Sequence, residues 1–271
     1  MSSREFPTKV VRGVALRADP PRESAFQVVQ LDAEMHEYPG MTPPAQREKL
    51  HRHMSNEMGS LDIAAQCLAD FPDAPWELRL ELARQAWDES RHVTALYRKL
   101  RELGGHKGEF PIGNFEWSVT CSLDSLVGRL AVQNRTFEAG QMDLLASLPR
   151  HWREVGDEDT AEMLEAILND EVQHVRFANR WLKEFVRQDP KTLLEVLKAL
   201  QFLSTANEAV SAKEGEINAV GTPLGAPRHK TIEVNVECRR EAEFSEQEIR
   251  AAIRKAGLGS ILPRAAPQES A

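Results

Sequence analysis

Two pentapeptides, DESRH at residues 88–92 and DEVQH at residues 170–174, share the pattern D-E-x-x-H. On a helix, residues three apart lie one turn apart on the same face, so each copy sets a carboxylate beside an imidazole. Both copies fall inside runs whose apolar residues recur every three or four positions. On a helical wheel Glu89 and Glu171 sit at the centres of those apolar stripes. A lone glutamate is costly to bury there, so two of them raise the question of what meets their charge.

Two further apolar stripes contain one centred carboxylate each. Glu57 lies between Met54 and Leu61, and Glu138 lies among Ala131, Met142 and Leu145. Glu57 precedes Glu89 by 32 residues, and Glu138 precedes Glu171 by 33. Each half of the region is therefore a helical hairpin that delivers Glu, then Glu-x-x-His. Four ionised carboxylates and two neutral imidazoles carry a charge that two divalent cations would balance; without cations, such close like charges could not all stay ionised. Glutamate and histidine suit iron or manganese, whereas zinc sites more often use fewer ligands and include cysteine. The expected ligands are Glu57, Glu89, His92, Glu138, Glu171 and His174. The expected cofactor is two iron ions, with manganese or a mixed pair as the alternative. His53, Gln85, Asn134 and Gln141 share the inner faces. They are candidates for orienting oxygen or substrate, with His53 also an additional ligand candidate; the ordinary alternative is a satisfied core or rim residue.

The positioning elements follow from periodicity. Residues 1–44, broken by Pro20, Pro21, Pro43 and Pro44, read as an irregular arm. A first stripe runs from Leu50 to Leu68 and a second from Leu78 to Leu103, closed by Gly104 and Gly105. GHKGEFPIGNFEW, residues 105–117, is a long turn-rich connection. A third stripe spans Leu123 to Leu145 and ends near Pro149, and a fourth, opened by Gly156–Asp157, runs from Leu164 to Phe185 and halts at Asp189–Pro190. The expectation is an all-α chain: a four-helix bundle with one long crossover over 45–187, and an extension over 188–271. That extension reads as a fifth helix at 191–205, a surface loop at 206–235 and a short helix opened by the capping box of Ser245 and Glu248. TIEVNVE (231–237) is the one strand candidate.

Composition narrows the classes. The chain has 271 residues, is 41% hydrophobic and carries a formal net charge of −8. No apolar run reaches the length of a membrane span, and the N-terminal residues lack the apolar core of a secretory signal, so the expected location is the cytoplasm. An acidic balance argues against nucleic acid as the main partner; the basic clusters at Arg47–His53 and Arg98–Lys107 read as solvated helix faces. Cys67, Cys121 and Cys238 are scattered and odd in number, which suits reduced thiols.

With these ligands in place, residues 45–187 resemble the ferritin-like di-metal carboxylate superfamily. LGGHKGEFP, RLAVQNRTFEAGQMD and GDEDTAEMLEAILNDEVQHV are similar to a bacterial family of ferritin-like domains of unknown function. The resemblance implies that Glu57, Glu89 and His92 hold one side of the site and Glu138, Glu171 and His174 the other, with one or two glutamates bridging. It also implies that Asp170 hydrogen-bonds His92 and Asp88 hydrogen-bonds His174. The function so implied is a non-haem di-iron oxidase or oxygenase. It would use O2 as co-substrate on a small molecule, by C–H hydroxylation or N-oxygenation, and take electrons from an external reductase or ferredoxin. A homodimer is compatible. The alternatives are a ferroxidase or iron-handling protein, a manganese catalase-like activity and a tRNA hydroxylase.

Overall fold

A computed structural model of the chain describes residues 6–30, 34–36, 38–219 and 234–255. The molecule is mostly helical. Helix α1 (Pro43–Asp70) starts on a proline pair, whose missing amide hydrogens cost nothing in a first turn, and ends before Pro72. Helix α2 (Trp76–Glu102) closes in a Schellman turn. Gly104 takes φ +79°, and the amides of Gly104 and Gly105 return to the carbonyls of Arg101 and Leu100.

The third stripe is not one helix. It comprises α4 (Leu126–Val132), a π turn (Gln133–Glu138) and α5 (Ala139–Leu145), and a short helix α3 (Phe115–Thr120) precedes it, starting inside the segment read as a connection. Leu123, expected inside it, lies in the link before α4. The stripe ends at Leu145, close to the expected end, and Pro149 sits in the first turn of the next helix, α6 (Leu148–Glu154). Helix α7 (Glu158–Gln188) opens on Asp157, whose carboxylate accepts from the Thr160 amide at 3.0 Å, and ends at Asp189.

Two apolar clusters show how these helices run. One joins Ile63 and Cys67 of α1, Leu78 and Leu82 of α2, Leu130 and Ala131 of α4, and Ala178 and Leu182 of α7. The other joins Leu50 and Met54, Leu96 and Leu100, Leu145, and Leu164 and Ile167. Along the chain, α1 and α7 pass from the second cluster to the first, while α2 and the α4–α5 segment pass the other way. In every case the centred glutamate falls between the two clusters. Sequence spacing and opposed helix directions thus place four carboxylates in one polar layer between two apolar ones.

The arm is more regular than its prolines suggest. Strands β1 (Thr8–Val11) and β2 (Val14–Arg17) form an antiparallel hairpin, with Thr8 opposite Arg17. Its two-residue turn has positive φ at both Arg12 and Gly13, the mirror-image turn that matches strand twist. Strand β3 (Val28–Val29) pairs in parallel with β4 (Ile112–Gly113) of the crossover. There Gly108 has φ +74°, and a Cβ on it would collide with the Ala25 carbonyl, so only glycine fits.

The extension also departs from expectation. Helix α8 (Thr192–Ala219) continues through much of the segment read as a loop, because Leu203 and Ala206 prolong its apolar face against Val132 and Leu16. Of the strand candidate, residues 231–233 lie outside the described residues, and Val236–Glu241 is helix α9, capped by Asn235. Helix α10 (Glu246–Lys255) opens with the expected capping box: Glu248 accepts from the Ser245 amide at 2.8 Å. Arg239 ties α9 to α5 through Asp143 at 2.6 Å, and Asn179 Nδ2 donates to the Ala242 carbonyl at 2.7 Å. Among the described residues, no helix is long and apolar enough to cross a membrane.

Candidate metal centre

Glu57, Glu89, His92, Glu138, Glu171 and His174 are all buried in the polar layer. They form two overlapping groups: Glu57, Glu89, His92 and Glu171; and Glu89, Glu138, Glu171 and His174. Within each group, one potential donor atom per residue lies within 4.8 Å of the others. Glu89 and Glu171 belong to both groups. A buried carboxylate/imidazole cluster of this kind could hold a metal ion.

Each imidazole turns Nδ1 inward. His92 Nδ1 lies 3.2 Å from Glu57 Oε2 and 3.1 Å from Glu89 Oε2, and His174 Nδ1 lies 3.3 Å from Glu89 Oε1. Outward, His92 Nε2 meets Asp170 at 3.2 Å and His174 Nε2 meets Asp88 at 3.4 Å. Each aspartate thus serves the histidine of the opposite helix. A carboxylate beside Nε2 holds the proton there and leaves the Nδ1 lone pair facing the centre.

The other polar residues of the inner faces also attach to ligands. His53 Nε2 is 2.6 Å from Glu57 Oε1, and Gln141 donates to the same oxygen. Asn134 Nδ2 donates to Glu138 Oε2 at 2.9 Å and to Gln85 Oε1 at 3.0 Å, while Gln85 donates to Glu138 Oε1. His53 thus reaches the cluster as a partner of Glu57 and lies in neither of the two ligand groups.

Two features escape the sequence pattern. Arg91 bonds Asp88 and reaches Asp170 at 2.9 Å, tying together the two outer carboxylates. It is half exposed in the middle of DESRH, and read as sequence it belongs to a solvated face. The π turn is the second. Thr136 Oγ1 donates to the Ala131 carbonyl, five residues back, at 2.9 Å, and the widened turn keeps Gln133, Asn134 and Glu138 all buried. π turns are frequent at functional sites.

Electrostatics point to a cation. Burial first, and neighbouring carboxylates second, push Glu89, Glu138 and Glu171 above the usual carboxylate range, Glu171 to about 7. Burial also acts on Glu57, but hydrogen bonds from His53 and His92 outweigh it and hold this carboxyl low. For His92, burial is overcome by Glu57 and Glu89, and its pKa rises to about 11. Protein groups alone can therefore coexist here only by sharing protons, and a divalent cation inverts that preference. Both oxygens of Glu171 and Nδ1 of His174 are buried without any hydrogen-bond partner. Buried polar atoms without partners are rare, and these three all point at the same centre, which fits metal coordination.

Asp170→Ala is expected to weaken metal affinity about 10- to 100-fold while leaving the fold intact, because the His92 ring loses the group that orients it. Competition against a chromogenic chelator measures this, and unchanged affinity would assign Asp170 to Arg91 alone.

Residues 3–250 match the family described as "Protein of unknown function (DUF455)", and the chain belongs to that family. No curated protein and no solved structure matches it.

Proposed function

We propose that this DUF455 chain is a non-haem di-iron protein that uses O2 to oxidise a small molecule. The observation carrying this reading is the pair of overlapping ligand groups that share Glu89 and Glu171, with three inward donor atoms free of hydrogen bonds. Supporting it, α1 and α7 run opposite to α2 and the α4–α5 segment, as the helices of a ferritin-like bundle with a single crossover do. Four glutamates and two histidines suit iron, or manganese in second place.

Bound ferrous ions supply the two electrons that O2 reduction needs and that no side chain here can give. The protein's part is positional. Asp88 and Asp170 set the imidazoles, Gln85 and Asn134 hold Glu138, and His53 and Gln141 hold Glu57. The apolar clusters on either side keep bulk water away. Repeated turnover requires electrons from outside the chain, hence a reductase or ferredoxin. Cleavage of a C–H bond or oxygenation at nitrogen is the reaction class.

Anaerobic reconstitution is expected to load about two Fe(II) per chain. Admission of O2 should then consume oxygen and convert the bound iron to the ferric state, followed with an oxygen electrode and a ferrous-specific chelator. Iron that binds but stays ferrous in air would reject the oxidase reading.

A further inference from the structure

Three of the five tryptophans pack into or against the apolar clusters: Trp117 and Trp181 at one end, Trp152 at the other. Trp76 and Trp87 do not. They are 68% and 65% exposed on α2, with Leu80 between them at 52%. Together with Ala83, also exposed, they recur at steps of four, three and four residues. That spacing makes one stripe about 16 Å long on the helix. At about 100° per residue the stripe points away from Leu78, Leu82, Gln85 and Glu89, which are buried. The inner face of α2 builds the core and the candidate metal centre, and the outer stripe serves neither. Two indoles on one outer stripe mark a surface that another molecule covers.

Charge names the occupant. Glu77 and Arg84 lie along one edge of the stripe, both exposed. Glu77 has no hydrogen-bond or ion-pair partner among the described residues. Arg84 meets Asp88 only at 3.4 Å, and Arg91 and His174 already serve that carboxylate. A two-fold axis at right angles to α2 sets two copies of the stripe antiparallel, with the same edge of each on the same side. Trp76 then lies beside Trp87 of the partner subunit, and Glu77 beside Arg84 of the partner subunit. The centres of these two spans differ by one residue, about 1.5 Å along the axis, so a single register satisfies both. Ala83, near the centre, lets the two helices approach closely.

We infer that this stripe is the two-fold contact of a homodimer, its occupant being a second copy of the chain. Four indoles so exposed offer about 400–650 Å² of surface. Leu80, Ala83 and the charged stems beside them carry the total towards the roughly 1,000 Å² at which specific interfaces begin, so the dimer is reversible. A lipid surface would call for basic residues along the edge, which Glu77 contradicts. The inference is independent of the oxidase reading and does not need metal in the protein.

Sedimentation velocity of the full chain over a dilution series is expected to show a monomer–dimer equilibrium and nothing larger, since a two-fold contact closes on itself. Trp87→Glu should weaken the dimer about thirtyfold or more. Glu77→Arg should weaken it about five- to tenfold by setting like charges across the axis. Arg84→Glu added to Glu77→Arg should recover most of that loss, as only this register requires. Glu77 is exposed in the first turn of α2, so the charge exchange carries the test if Trp87→Glu does not fold. A wild type that stays monomeric, an assembly indifferent to both Trp87→Glu and Glu77→Arg, or a double exchange no better than Glu77→Arg alone would overturn the inference.

Discussion

Glu171→Leu should abolish high-affinity metal binding and, with chelator present, make the protein more stable than the wild type. Both consequences come from one fact: Glu171 is 1% exposed and neither of its oxygens is hydrogen-bonded. As a member of both groups, it cannot be lost from one of them alone. Removing it also removes a buried carboxylate repelled by Glu89, Glu57 and Glu138. Replacing buried charge with packed hydrocarbon is commonly neutral or stabilising, by roughly 1–4 kcal/mol. Added metal should reverse the order. The wild type gains about 4 kcal/mol when free metal exceeds its dissociation constant a thousandfold, and the variant gains nothing. Melting curves with chelator and with Fe(II) or Mn(II) test the crossing directly. A variant equally destabilised under both conditions would show that Glu171 is a structural residue.

Arg129→Met is expected to destabilise the chain by about 3–5 kcal/mol, the usual consequence of stranding one partner of a buried ion pair. The Arg129 guanidinium is buried, 2.7 Å from Asp70 Oδ2, while its Nε donates to the Leu123 carbonyl at 3.0 Å. It also lies over the Phe71 ring, 4.8 Å from the centroid. Arg17 reaches Asp70 at 3.4 Å and Gln66 Nε2 donates to it at 2.7 Å, so the carboxylate keeps partial compensation and the lower end of the range is expected. These contacts join the end of α1, the start of α4 and the β2 strand, none of which supplies a metal ligand at that point. Urea denaturation should therefore shift strongly while metal stoichiometry stays as in the wild type. Asp70→Leu added to Arg129→Met should recover part of the loss. A loss below about 1 kcal/mol would mean that Arg17 alone satisfies Asp70.

Cys67, Cys121 and Cys238 are free thiols in the structure. Cys67 and Cys121 are buried, and burial pushes their thiols up to about 11 and about 12, so they are inert packing groups of the cluster that holds Leu78 and Leu130.

Periodicity makes the principal helices legible in the chain, because burying one face of a helix imposes spacing that survives in a single sequence. The same periodicity exposes Glu57, Glu89, Glu138 and Glu171, since a charged residue centred on an apolar stripe contradicts the pattern around it. Helix ends are legible where a local device sets them, as at Gly104, Asp157 and Ser245. Three devices are not. The hairpin of β1 and β2 depends on packing over the helices, as in the Arg17 amide bond to Ser122 Oγ at 2.6 Å, and its short strands carry little pattern of their own. Helix α8 outruns its expected end because α4 covers it, which no propensity within α8 records. The π turn differs from an α-helix by one residue of slip, too small a change for a periodicity to reveal.

Sequence by itself determined which residues turn inward and which helices carry them, because helical geometry ties side-chain direction to residue number. Only the tertiary structure decided that Glu89 and Glu171 belong to both ligand groups and that Arg91 joins Asp88 to Asp170; the crossing of each aspartate to the opposite histidine, seen at 3.4 and 3.2 Å, was implied beforehand by the family resemblance and not by spacing. Those relations depend on the rotation and axial offset of one helix against another. Many side chains set these together, and no local spacing encodes them.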